Sequence, residues 1–341
     1  MIITNLLKFN YRFASKASKF ARVFLWAMLA LAVSQSAYAQ SPTKKGVIVT
    51  VSIAPLAGLI EPLLDENDSL QLLLNASSSP HGFQLKPSHL KALHQSELVV
   101  MNGAGIDAWL NKSLFSIYAP VVQFANLKDI KRLPVREGGA WQAGHDHEHG
   151  QGSHAEHKDL VVDGHLWLEL DNAVQLVKVV SRELQRLAPY KKQQIATREA
   201  KFVQALQALD KQVQEMLSAV KSRPYLVLHD AFQYFEKHYG LNAVGSIQLN
   251  PSIAPSIRRV YELRNKVLAK EVVCVFKEPQ FPERRIQAVT RGTDVKIGVA
   301  DPLGVGSAGQ STSRQSSDKG FVGYEKLYHS LAHEVFKCLQ P

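Results

Sequence analysis

Short apolar runs punctuate the first half of the chain: "VIVTVS" (47–52), "LQLLL" (70–74), "ELVVM" (97–101) and "VVQFA" (121–125), with amphipathic stretches around 55–65 and 87–95. Strand-sized apolar runs alternating with helical patterns are the rhythm of βα units, so a lobe with a parallel sheet is predicted up to about residue 170. From Asp171 the period changes. Ala173, Leu176, Val177, Val180, Leu184 and Leu187 recur at three and four, and Pro189 ends that helix. A second helical pattern runs through Phe202, Leu206, Leu209, Val213, Met216 and Val220. Strand-like runs then return as "YLVLH" (225–229), "AVGSI" (243–247), "VVCVFKE" (272–278) and "VKIGV" (295–299). The pattern predicts an α/β fold of two α/β lobes joined by a long helix. The first lobe covers 40–170, the linker helix 171–189 and the second lobe 190–341.

Two stretches fall outside this rhythm. Residues 136–163 are charged and rich in Gly and His with no apolar period, so they are read as a surface loop inserted in the first lobe. The loop carries "HDHEHGQGSHAEH", with His145, His147, His149, His154 and His157 inside thirteen residues. The stretch 304–320 contains Gly304-x-Gly306-x-x-Gly309, formally a dinucleotide fingerprint. No apolar helix follows it, so phosphates would meet no helix N-terminus, and it too is read as a loop.

The first 39 residues have a different character. Lys8, Arg12, Lys16, Lys19 and Arg22 stand without one acid ahead of "VFLWAMLALAV" (23–33) and small residues at Ala37 and Ala39. This is the layout of a secretory signal peptide cut after Ala39, and the apolar run is far shorter than the roughly 20 residues a membrane span needs. Export from the cytoplasm is expected. Removing the segment removes five positive charges from a formal net charge of +10, leaving a mildly basic chain. With no basic block or aromatic-interleaved basic stripe, nucleic acid is excluded as a partner. No cysteine near the cut offers a lipid anchor, and a monomer is expected. In an oxidising compartment the two cysteines, Cys274 and Cys338, are read either as one disulfide or as a pair of soft metal ligands, although neither sits in a CxxC.

The isolated histidines are placed where chemistry collects. His229 stands at the carboxyl end of a predicted buried strand, where α/β sheets bind ligands. His81 in "SSSPHGFQLKPS" and His165 in "DGHLWLELDNA" stand in loops beside strand or helix ends. His81 and His165 from one lobe with His229 from the other are expected to converge on a metal ion in the cleft between lobes. Asp301, after a strand in "GVADPLG", or a water is the expected fourth ligand, since three imidazoles plus an open position is a known zinc arrangement. Imidazoles suit zinc better than manganese, and as they must be neutral to ligate, affinity should fall as pH drops through the histidine range.

Two rivals read the same residues otherwise. Three histidines and a water also describe a hydrolytic zinc centre, but HExxH is absent, "HEVFK" at His333 offering Lys337 in place of the second histidine. A storage protein would hold ions on the loop alone, loosely, because ordering a flexible chain costs entropy.

Several stretches in order carry a resemblance: "SIAPLAGLI", "SPHGFQLKPS", "DGHLWLELDNA", "LHDAFQYFEKHYGL", "KEPQFPERRI" around Glu278 and "DPLG" at Asp301. From about Gly46 onward the chain resembles the solute-binding proteins of bacterial ABC importers for zinc and manganese, the cluster A-I group, and within it the periplasmic zinc-binding branch. The resemblance implies two lobes joined by a long helix and metal ligation by His81, His165 and His229. It also implies a His-rich insertion before the second ligand, a disulfide between Cys274 and Cys338, zinc as cargo, and a membrane permease as partner. Many relatives carry an acid beside the first histidine, whereas here the neighbours are Pro80 and Gly82, which leaves the fourth ligand open.

Overall fold

All eight apolar runs are strands in a computed structural model of the protein, which describes residues 46–136, 141, 161–305 and 320–341. The expected signal peptide, the five loop histidines and two of the three fingerprint glycines lie outside the described residues. Strands β1 (Ile48–Ile53), β2 (Ser69–Leu74), β3 (Leu98–Met101) and β4 (Val121–Gln123) form a parallel sheet in the order β2-β1-β3-β4. Strands β5 (Tyr225–His229), β6 (Ala243–Gln248), β7 (Cys274–Lys277) and β8 (Lys296–Val299) repeat that order as β6-β5-β7-β8. The central strands β3 and β5 are buried along their whole length, which is why they read as unbroken apolar runs without alternation.

The helices are α1 (Ala54–Ile60), α2 (Pro87–Gln95), α3 (Leu170–Leu187), α4 (Lys192–Ser218), α5 (Gln233–Tyr239), α6 (Ile257–Leu268), α7 (Arg284–Thr290) and α8 (Tyr324–Leu339). Pro189 ends α3 as the pattern requires, and the short turn Pro189–Lys191 leads directly into α4. The boundary expected at residue 189 therefore falls inside a helical pair, and the 27-residue α4 carries the chain on to β5. Helix α3 buries Ala173, Leu176, Val177, Val180 and Leu184, and α4 buries Phe202, Leu206, Leu209 and Val213. Among the described residues no helix is long and apolar enough to cross a membrane.

One apolar cluster runs through both lobes, from Val49, Val51 and Ile53 of β1 through α1, α3 and α4 to Tyr225 and Val227 of β5 and Leu331 and Val335 of α8. A continuous core of this kind opposes wide hinge motion, because opening would expose apolar surface at about 25 cal/mol per Å². Closeness of backbone enforces the same tie at one point. A Cβ on Gly58 of α1 would lie 2.7 Å from the backbone nitrogen of Tyr324 at the start of α8.

Covalent and polar links reinforce the frame. Cys274 of β7 and Cys338 of α8 form a disulfide, which removes them as metal ligands. His238 of α5 lies between two carboxylates, with Nδ1 against Glu169 Oε1 and Nε2 2.9 Å from Asp210 Oδ1, while Lys131 Nζ holds the other oxygen of Glu169 at 2.8 Å. The hydrogen bond to Glu169 is the main reason this imidazole's pKa is raised from 6.5 to about 9.

Two outcomes follow from these links. Replacing both cysteines by serine should lower the unfolding free energy by about 2–4 kcal/mol in urea titrations, given the long loop the bond closes. A histidine whose pKa is raised in the folded state stabilises fully below its unfolded value and loses that contribution as pH climbs through the folded one. The melting temperature of His238→Gln should therefore lie below that of the parent at pH 6, with the gap narrowing as pH rises from 7 through about 9.

Candidate metal centre

His229 ends β5, and its neighbour β7 runs parallel with Val227 opposite Phe276. Carrying that register two residues further sets His229 beside Glu278. The His229 backbone N–H donates to Glu278 Oε1 at 3.2 Å, and the ring Nδ1 lies 2.6 Å from the same oxygen. Both residues are buried.

His165 is held by a different device. Both ends of the His-rich insertion are paired, with Val135 N–H donating to Val161 O at 2.9 Å and Asp163 N–H to Leu133 O at 2.8 Å. Asp163 then turns its carboxylate onto the histidine two residues on: Oδ1 accepts from His165 N at 3.0 Å and lies 2.7 Å from Nδ1. Gly164 between them permits the turn, since a Cβ there would stand 2.5 Å from Ile106 Cγ1 and 2.7 Å from Ala104 O. The second lobe steadies this segment. Tyr234 OH donates to Asp163 O at 3.0 Å, and Trp167 Nε1 donates to Pro302 O at 2.7 Å.

His81 comes from the loop between β2 and α2. Gly82 beside it has φ +82°, a left-handed conformation that glycine adopts without a Cβ penalty. The Nε2 atom of His81 is buried with no hydrogen-bond partner. Burial first, then the charges of His165 and His229, hold the ring far below the ordinary histidine range, at about 3, so it stays neutral.

The three rings face one another. Each of His81, His165 and His229 offers one ligand atom, all within 4.8 Å of one another. Because Nδ1 of His165 and of His229 each points at a carboxylate, the proton belongs on Nδ1 and the lone pair on Nε2. Those two Nε2 atoms lie 3.3 Å apart, close enough to share one proton or one cation. Two nitrogens held about 2.05 Å from zinc at a tetrahedral angle would themselves stand about 3.3 Å apart. The donor set suits a single zinc-sized cation.

Asp301, the expected fourth donor, is not brought to this group, and the reason is local. Its Oδ1 accepts from Leu303 N at 3.0 Å, Gly304 N at 3.1 Å and Gln280 Nε2 at 2.8 Å, and its Oδ2 accepts from Val305 N. Its oxygens cap the turn that follows β8. Sequence reasoning also missed Asp163 and Glu278 as orienting groups. The first is signalled by D-x-H spacing, and the second becomes visible only once β5 and β7 are known to be neighbours. A second acid–histidine group, Glu169, Asp171 and His238, has its imidazole bonded on both nitrogens and Lys131 on Glu169, an arrangement that already satisfies its charges.

Known proteins resemble the chain in sequence and in fold. A family model described as the periplasmic component A of zinc-uptake complexes (ZnuA) matches residues 49–317. The chain is 31% identical over 325 residues to the high-affinity zinc uptake system protein ZnuA of Yersinia pestis, covering 92% of this chain and 98% of the relative. The protein of the same name from Brucella abortus is 30% identical over 317 residues, covering 85% of this chain and 91% of the relative. In fold the chain is similar to the periplasmic zinc binding protein TroA from Treponema pallidum, with a TM-score of 0.70 at 19% identity over 87% of this chain and 100% of that one.

Carboxylates that fix ligating imidazoles are typically worth 10–100-fold in metal affinity. Asp163→Asn and Glu278→Gln should each weaken zinc binding by about that factor in chelator-competition titrations. Far-ultraviolet circular dichroism should be unchanged.

Proposed function

The chain belongs to the family of the periplasmic component A of zinc-uptake complexes, and we propose that its cleft captures Zn²⁺ on His81, His165 and His229 for delivery to the membrane permease of an ABC importer. The observation that carries this reading is the pair of carboxylate-oriented imidazoles with Nε2 atoms 3.3 Å apart. With Nδ1 of each ring held by a carboxylate, the neutral rings turn both Nε2 lone pairs to one point, where a cation can accept them. His81 supplies a third nitrogen.

Zinc is favoured over manganese because the site offers imidazole, whereas manganese prefers carboxylate, carbonyl and water. The relatives' names describe uptake and give no support to a secreted zinc hydrolase. The chain acts as a receptor and catalyses nothing. In this reading residues 1–39 direct export and are cut after Ala39, and the mature protein works in the periplasm as a monomer. The five loop histidines serve as an accessory that gathers zinc near the cleft, since the two ends of their insertion pair directly beside Asp163.

A titration of three proteins separates the cleft from the loop. The mature chain and a variant lacking residues 145–157 should each hold one tightly bound zinc, whereas His229→Ala should lose it. Loss of tight binding on loop deletion, with retention in His229→Ala, would assign the site to the loop.

A further inference from the structure

Gln280 lines the same pocket as His81, His165 and His229. Its Oε1 is buried and has no hydrogen-bond partner. Its Nε2 is engaged twice, donating to Ala76 O of the first lobe at 3.0 Å and to Asp301 Oδ1 of the second at 2.8 Å. Those two acceptors settle which end of the amide is which: the flipped group would set its oxygen against a carbonyl and a carboxylate, leaving two acceptors facing a third. The free end is therefore the oxygen.

A buried carbonyl oxygen without a donor costs about 1–3 kcal/mol, and in native proteins such orphans call for a partner. Three imidazoles leave zinc one coordination position short of its tetrahedron. Building on the zinc reading above, we infer that Gln280 is the positioning residue of the fourth coordination site, its Oε1 accepting a hydrogen bond from the water that completes the zinc tetrahedron. Water on zinc is a strong donor and Gln280 Oε1 is an acceptor with nothing else to accept. Asp301 then acts one bond removed from the ion. Backbone N–H groups of Leu303, Gly304 and Val305 fix its carboxylate, and the carboxylate fixes the amide.

The choice of amide also bears on selectivity. A carboxylate in this place would add a charged hard ligand and suit manganese. A neutral amide that holds a water leaves three imidazoles in control, which keeps the preference with zinc.

The test compares the mature protein with Gln280→Leu, a change close in size that removes the oxygen. Zinc affinity from competition titration should fall about tenfold, as for other groups that support a ligand. The visible d–d spectrum of the Co²⁺-loaded variant should depart from the four-coordinate spectrum of the parent, a shift that a merely structural role would not produce. X-ray absorption at the zinc edge of the unaltered protein should count three nitrogens and one oxygen, a measurement independent of how the variant folds. An unchanged affinity and cobalt spectrum in Gln280→Leu, or only three ligands in the parent, would overturn the inference. If His229→Ala still abolished tight binding in that case, the cleft assignment would survive and only the role of Gln280 would be lost.

Discussion

Two imidazole nitrogens, each aimed by a carboxylate on the far side of its ring, face each other across 3.3 Å in a buried cleft. Much of the surrounding architecture holds that pair in place. One ring ends β5 of the second lobe, and the other follows the hairpin-like base of an insertion in the first. Holding them apart would remove the convergence of nitrogens on one point.

The frame that keeps this geometry is a shared core. Tyr324 and Tyr328 of α8 hydrogen-bond the backbone oxygens of Trp167 and Leu168, next to His165, while α8 is fastened by the Cys274–Cys338 bond to β7, the strand that precedes Glu278. The final helix thus ties the supports of both ligands into one body. The Trp167–Pro302 bond and the Gln280–Ala76 bond cross between lobes at the rim of the same space. Such a frame permits small adjustments around a preorganised site. Affinity gains from that arrangement because little ordering remains to be done when the ion arrives.

Much of this was legible in the sequence. The strands announced themselves because each is short, apolar and bounded by helical periods, and the positions of His81, His165 and His229 followed from strand and loop ends. Asp301, one of the two candidates for the fourth ligand beside a water, is engaged elsewhere for a physical reason. A carboxylate after a strand end resembles a ligand in sequence, but the backbone N–H groups of Leu303 to Val305 claim it first. Glu278 and Gln280 were hidden because their parts depend on which strands are neighbours and which amide atom is left unpaired, neither of which any local spacing records. The helical connection was legible too, because two apolar periods on either side of Pro189 mark the two helices α3 and α4.

The central claim is that one zinc ion sits among His81, His165 and His229. Anomalous diffraction at the zinc edge, from crystals of the mature protein grown with one equivalent of zinc, tests it most directly. The account predicts a single strong peak within about 2.0–2.1 Å of the Nε2 atoms of all three histidines. A peak elsewhere on the chain, with none among those three rings, would contradict it.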